Sequence, residues 1–335
     1  MIRRLLGAAG ATLVSVVTLR TVGRRAADRL LAGPRAGVGE AALGPALDAL
    51  GGEVVRLRSR DGLRLSGRWL PLEREEAWVA DPHDAILLLH GYSGSIAPDL
   101  VEYGPCLRRT AGVLGLDFRG HGESDPGPTT FGMLEVEDVA GALAWLGERG
   151  ITRVALVGTS MGGIAAIESV AILGDGRLAG PDADTAATRA PIDAPRPQIV
   201  AVVAESVPAG VEVPVANRIR SPLRRFIAGR LFDAAARRLG ADPRDTEPGK
   251  VIGLIEPVPL LLIHGAADGT VPLGEGQRLM ALAGPSAEHW IVEGADHSRA
   301  HAVAGQDYER RVTDFLRVAF ERARDDDLGA REGSL

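Results

Sequence analysis

One cysteine, Cys106, and one lysine, Lys250, are all that this chain of 335 residues holds of either type. A lone cysteine excludes an intrachain disulfide and fits a reducing compartment. No group of cysteines and histidines has the spacing of a zinc site. Positive charge is short as well: the formal net charge is −6, which argues against a nucleic-acid binder. The basic residues are almost all arginine, and beside the abundant alanine this reads as compositional bias rather than as arginine chemistry. Internal repeats are lacking too. With 45% apolar residues the chain can bury a substantial core, and its length favours one large α/β domain with insertions over two equal domains.

What is present centres on residues 153–173, RVALVGTSMGGIAAIESVAIL. The apolar run Val154 to Val157 meets Gly158-Thr159-Ser160-Met161-Gly162-Gly163 and then a helix-forming segment. A strand, a very tight turn and a helix follow one another, with a hydroxyl at the apex. Glycine is needed at 158 and 162 because side chains there would collide with each other or with the neighbouring strand. The turn lifts Ser160 clear of the sheet and sets the Met161 N–H at a helix start, where an oxyanion can be stabilised. Taken alone, a glycine-rich corner with an incidental serine reads the sequence equally well.

Strands and helices alternate around this turn. Val54 to Ser59 and Leu65 to Leu70 flank Asp61-Gly62 as a β-hairpin. Ala85 to Leu89 is a fully apolar strand running into His90-Gly91-Tyr92-Ser93-Gly94. A helix from Pro98 to Arg109 leads to the strand Val113 to Leu116 and then to Asp117-Phe118-Arg119-Gly120-His121-Gly122-Glu123-Ser124. Val136, Val139, Ala140, Leu143 and Leu146 have helical spacing. Residues 174–198, rich in proline and aspartate, read as a surface loop. Strands return at Ile199 to Ala204, Val258 to Ile263 and Trp290 to Val292, and Tyr308 to Ala323 is the last helix. The pattern predicts a mostly parallel sheet covered on both faces, with chemistry at the carboxyl ends of its strands.

The ends are read separately. Residues 1–31 form a hydrophobic segment: Met1-Ile2-Arg3-Arg4 precedes fifteen uncharged residues, Leu5 to Leu19, and Arg20, Arg24, Arg25 and Arg29 follow. As a helix the run would span ~22 Å, short of a hydrocarbon core of ~30 Å. The reading adopted is an uncleaved membrane anchor, spanning or lying on the surface, with a signal peptide or a docked terminal helix as alternatives. If it spans, the arginines on its carboxyl side keep the domain cytoplasmic; if it is a signal, the protein is exported. Residues 32–52 read as a linker, 53–323 as the domain and 324–335 as a disordered acidic tail. A cap is inserted at 207–257. Within it, Ser221-Pro222 has the form of an N-cap and first helical position, and Leu223, Phe226, Ile227, Leu231 and Ala235 form the stripe predicted to face inward. The arginines of that helix, in a chain this rich in arginine, read as a solvated face, with contact to an anionic substrate or a membrane surface as the alternative.

Two further loops complete a constellation. Ile263-His264-Gly265-Ala266-Ala267-Asp268-Gly269-Thr270-Val271-Pro272 sets Asp268 just after a buried strand, and Gly294-Ala295-Asp296-His297 sets His297 just after the last one. The order Ser160, Asp268, His297 is that of the α/β-hydrolase triad. In its HGYSG loop, DFRGHGES segment, GTSMGG elbow and HGAADGTVP acid loop the chain resembles the α/β-hydrolase superfamily, more narrowly its esterase and serine-aminopeptidase-like branch. The resemblance covers residues 53–323, loosely over 174–250. It implies the α/β-hydrolase fold with a small helical cap, and hydrolysis of an ester or amide without a cofactor. It also implies that the backbone N–H of Tyr92 is a second oxyanion donor beside that of Met161.

The chemistry of the residues agrees. A free serine hydroxyl is a poor nucleophile near neutral pH, and His297 can take its proton and return it to the leaving group. Asp268 would fix the imidazole tautomer. Asp296 adjoins His297, but neighbouring side chains point apart, and Glu205 is kept as an alternative acid. His90, His121 and His264 sit in motifs the family uses structurally. His301 lies four residues beyond His297, a spacing that suits a metal on a helix; without a third ligand it reads as a surface histidine. Arg119, Glu123 and Ser124 read as loop scaffolding and Cys106 as a buried small side chain. The function expected is a carboxylesterase acting on a small-molecule acyl substrate. Peptidase, thioesterase or acyltransferase activity with the same three residues, or a non-catalytic ligand-binding protein on this fold, stand as alternatives.

Overall fold

The computed structural model describes residues 25–33, 42–73, 80–92, 94–173 and 196–332. A helical segment over residues 25–31 comes first, then α1 (Gly44–Leu50), β1 (Glu53–Arg58), β2 (Arg64–Leu70) and β3 (Asp84–Leu89). Next come α2 (Ala97–Leu107), β4 (Gly112–Leu116), α3 (Glu135–Glu148), β5 (Arg153–Thr159), α4 (Met161–Leu173) and β6 (Gln198–Glu205). The cap follows, with α5 (Glu212–Arg218), α6 (Arg224–Leu239) and α7 (Pro248–Val251). The chain closes with β7 (Leu260–Gly265), α8 (Leu273–Leu282), β8 (Ala287–Val292), α9 (Ala300–Ala304) and α10 (Gln306–Glu332).

The eight strands among the described residues form one sheet in the order β1-β2-β4-β3-β5-β6-β7-β8. The β1–β2 hairpin and the β2–β4 pair are antiparallel and every other pairing is parallel. This is the mostly parallel sheet that the alternating pattern predicts, in the α/β-hydrolase architecture that the resemblance implies. Because strand side chains alternate between faces, the wholly apolar β3 serves two cores. Ala85, Leu87 and Leu89 pack with α3 and α4, while Ile86 and Leu88 pack with α2 and α10. Val154 and Leu156 of β5 turn to the first core, Ala155 and Val157 to the second. Burial on both faces is why these strands read as unbroken apolar runs.

Four expectations are corrected. The linker reading fails over Gly44–Leu50, which is helical; Leu47 and Leu50 pack against the core, and Leu50 O accepts from Arg108 at 2.9 Å. The acidic tail is helical through residue 332, and its Asp327 pairs with Arg153 at 3.0 Å. The cap helix begins at Arg224, two residues later than the first helical position Pro222, and of the predicted stripe only Ala235 is buried. Ala228, Phe232 and Ala235 are buried, whereas Leu223 and Phe226 are exposed. Small alanines let α6 lie close over the domain, where Phe232 meets Phe131 at 5.8 Å, and that contact selects the face.

The fourth correction concerns the amino terminus. Ala27 and Leu31 are buried, Leu31 O accepts from Thr129 N–H at 2.7 Å and Leu30 O from the Tyr92 hydroxyl at 3.3 Å. Residues 25–33 therefore dock on the domain and are neither anchor nor linker. The expected anchor falls on residues 1–24, which lie outside the described residues, as does most of the expected 174–198 loop. Among the described residues no helix is long and apolar enough to cross a membrane.

Candidate active site

The turn between β5 and α4 is built by glycine. A Cβ on Gly158 would fall on the Gly162 carbonyl group, and one on Gly162 would fall on the Leu89 carbonyl group, so neither position admits a side chain. The turn holds Ser160 at φ 48°, in a region that costs a non-glycine residue ~1–2 kcal/mol. Pairing around it secures the strain: Ser160 N–H donates to Glu205 O at 2.7 Å, and Ile164 N–H donates to Ser160 O at 3.0 Å. Met161 is the first residue of α4, so its N–H has no intrahelical acceptor. The loop after β3 lies alongside: a Cβ on Gly91 would stand 3.5 Å from Ser160 Cβ, which sets Tyr92 next to the serine.

Ser160, His297 and Asp268, drawn from three different loops, meet in one row. Ser160 Oγ is 3.1 Å from His297 Nε2, and His297 Nδ1 is 2.8 Å from Asp268 Oδ2. A carboxylate can only accept, so Nδ1 carries the proton and Nε2 is left to accept from the serine hydroxyl. Asp268 also accepts from Thr270 N–H at 2.9 Å and Val271 N–H at 2.7 Å. Burial works to raise its carboxyl, but the bonds from His297, Val271 and Ser206 outweigh it and hold the group below the usual aspartate value.

Two residues tie this row together in ways the sequence reading missed. Ser206, just past β6 and buried, accepts from Ser298 N–H at 3.0 Å and hydrogen-bonds Asp268. Asp296, weighed only as a competing acid, turns away from the imidazole: one oxygen accepts from His297 N–H at 2.7 Å and Gly269 N–H at 3.1 Å. It clasps the histidine loop to the acid loop. The signal for Ser206 was its place at the carboxyl end of a parallel strand, where sites gather.

The remaining candidates take other partners. Glu205 is buried, and its carboxylate accepts from Ala300 N–H at 3.0 Å and the Tyr308 hydroxyl at 2.9 Å, not from His297. His90 accepts Phe118 N–H at Nε2 and donates to Gly91 O; burial, reinforced by His121, pushes it down to about 3, so it stays neutral. His121 is bonded to Arg119 O, and His264 to Val271 O. His301 is not the surface histidine expected: it is half-buried between Glu102, at 3.2 Å, and Glu309, at 3.5 Å, and it joins α2 to α10. Arg119 is 2% exposed and bridges Asp138 and Asp61, while Ser124 donates to Asp117 O; both hold the 117–124 loop. The buried Cys106 thiol is pushed up to about 12 by its surroundings, burial foremost. Among the described residues, no group of three or more histidines, cysteines and carboxylates could hold a metal ion.

Above the serine stands an aromatic wall. Tyr92 stacks on Phe131 at 5.5 Å, and Phe131 meets Phe232 of α6. The Arg218 guanidinium, at the end of α5, lies 6.0 Å from the Tyr92 ring. Asp99, wholly buried and pushed up to about 7 by burial, accepts from the Thr159 hydroxyl at 3.0 Å, one residue before the serine. A groove of about 640 Å³ between β8 and α10, lined by Trp290, Arg311 and Phe315 among others, includes none of Ser160, His297 and Asp268.

Known proteins share this framework. The uncharacterized protein YfhR of Escherichia coli K12 is 26% identical over 276 residues, covering 80% of this chain and 82% of that protein. YfhR of Salmonella typhimurium is 26% identical over 256 residues, covering 73% and 74%. Among solved structures, the Pyrococcus furiosus esterase Pf2001 superposes with a TM-score of 0.60 at 22% identity, covering 85% of this chain and 96% of that one. A membrane phospholipase A, titled a novel bacterial virulence factor, superposes with a TM-score of 0.54 at 18% identity, covering 95% and 99%. A family model described as the alpha/beta hydrolase family matches residues 86–310, a span that holds all three residues of the hydrogen-bonded row. The chain belongs to the alpha/beta hydrolase family.

Proposed function

We propose that this hydrolase cleaves carboxylic esters through an acyl-enzyme formed on Ser160. The observation that carries the reading is the row itself, in which 3.1 Å separates Ser160 Oγ from His297 Nε2 and 2.8 Å separates His297 Nδ1 from Asp268. His297 takes the hydroxyl proton as Oγ attacks the ester carbonyl carbon, and Asp268 holds the imidazole in the tautomer that can do so. Met161 N–H and Tyr92 N–H receive the developing oxyanion; losing one such donor costs ~100–1000-fold in rate. The tetrahedral intermediate then collapses. Its carbon–oxygen bond to the leaving alcohol breaks as His297 returns the proton, and water repeats the cycle to release the acid.

An active-site-directed fluorophosphonate tests this reading. The wild-type chain is expected to be labelled covalently and the Ser160→Ala variant to stay unlabelled. A folded wild-type chain that takes no label would sink the proposal and leave a non-catalytic binding role on this fold.

A further inference from the structure

The cap carries a surface that hydrolysis does not use. Leu223 is 63% exposed and Phe226 68%, the two most exposed large apolar side chains among the described residues. They are three residues apart, so they share one side of the first turn of α6. Arg220, Arg224 and Arg225 surround them, all exposed and, among the described residues, without a carboxylate in ion-pair reach. Farther along the cap Arg230 pairs with Asp233, Arg238 with Asp28, and Arg244 with Glu212, Asp233 and Asp242, while Arg237 stands alone among the described residues. A merely solvated face accounts for isolated exposed apolar residues. It does not account for two of them together inside unpaired cations on a chain of net charge −6.

We propose that this first turn of α6, with the loop before it, docks on an anionic lipid bilayer. Leu223 and Phe226 would enter the boundary between headgroups and acyl chains while the three arginines meet lipid phosphates. Charge and composition support a bilayer over a protein partner. The helical segment 25–31 meets the other end of α6, through Asp28 and Arg238 at 3.5 Å, and residues 1–24 precede it in the sequence. Those residues carry the uncharged run Leu5 to Leu19 between Arg3-Arg4 and Arg20. The face also lies on the side of Ser160, because α6 covers Phe131 and Phe131 stacks on Tyr92. Docking would therefore bring the serine close to molecules held in the bilayer. The inference concerns the surface and stands apart from whether Ser160 becomes acylated.

The full chain is tested with Phe226→Cys carrying an environment-sensitive fluorophore; the native Cys106 is buried and takes no label. The fluorophore reads contact of the cap itself, whatever residues 1–24 do. On vesicles of phosphatidylcholine with about one-third phosphatidylglycerol, a blue shift and several-fold brighter emission are expected. A fluorophore at Glu148→Cys, exposed at the far end of α3, should not respond. Adding Arg220→Gln, Arg224→Gln and Arg225→Gln should weaken the response on the order of 100-fold in lipid concentration, about five-fold per arginine, and the three corresponding lysine substitutions should retain it. Circular dichroism checks that every variant is folded. The proposal fails if the chain floats with vesicles while the Phe226→Cys probe stays unchanged, or if pure phosphatidylcholine gives an equal response. It fails too if the probe is already blue-shifted without lipid, which would mean a covering segment or a second copy. Fluorophosphonate labelling of the same samples reports on Ser160 separately.

Discussion

Removal of the Ser206 hydroxyl should slow the enzyme without dismantling it. That hydroxyl lies where three loops meet: it hydrogen-bonds Asp268 and accepts Ser298 N–H at 3.0 Å, while the Ser206 N–H is anchored on Ile263 O. A hydrogen bond to a charged group contributes ~1.5–3 kcal/mol. Asp268 keeps its bonds to His297, Thr270 and Val271, so the lower end applies, about 1.5–2 kcal/mol, or ~10–30-fold in kcat/KM. Ser206→Ala should therefore hydrolyse a chromogenic ester ~10–30-fold more slowly. The sign with pH follows. Donors depress the Asp268 value, so losing one raises it, and the activity that depends on ionised Asp268 should fall away at a higher pH than in the wild type. Ser206 also sits at φ 56°, which makes glycine an informative second variant. Ser206→Gly loses the same hydroxyl but is relieved of ~1–2 kcal/mol of left-handed strain. It should melt above the alanine variant and be equally slow. An alanine variant at wild-type rate, or a glycine variant that recovers the rate, would refute the reasoning.

Two further outcomes are expected. Arg119→Met leaves the buried Asp138 without its cation, which should cost ~3–5 kcal/mol at pH 8. Burial pushes Asp138 up to about 7 even beside Arg119, so the folded state takes up a proton as pH falls through that value. The deficit should shrink by pH 5.5, as urea midpoints at the two pH values would record; an unchanged deficit contradicts the assignment. Deleting residues 1–24 should leave fluorophosphonate labelling and the melting temperature essentially unaltered. Deletion through Gly33 also removes buried Leu31 and its bond to Thr129, worth ~2–4 kcal/mol together, and equal melting of the two truncations would show that this segment does not stabilise the domain.

Much of the site was legible because glycine and chain order constrain it locally. The Gly158 and Gly162 positions admit no side chain, and β3 and β5 are apolar because both their faces are covered. Asp268 and His297 could be placed because each directly follows a strand. What escaped depended on distant contacts or on a choice between equal options. His301 pairs with Glu102, 199 residues earlier, which no local spacing reveals. Adjacent positions on α6, Ile227 and Leu231 or Ala228 and Phe232, fit the same helical period, and the contact with Phe131 turns the second pair inward. The acidic run at Asp325 to Asp327 has the composition of a disordered tail, yet Asp327 meets Arg153 on the domain. Ser206 was passed over since a single serine after a strand resembles any other until the acid loop is laid against it.

The bond between Glu205 and Tyr308 has a consequence for the order in which the protein can be made. Both groups that answer the Glu205 carboxylate, Ala300 N–H and the Tyr308 hydroxyl, lie in α9 and α10, which are made after β1 to β8. Val312, Leu316 and Phe320 of the same stretch cover the face of the sheet that holds Val203 and Ile263. A nascent chain that stops before α9 would hold an unanswered carboxylate one residue from Ser206 and an open apolar surface beside it. The site would then be finished only after α10 has emerged, with that helix serving as its closing piece.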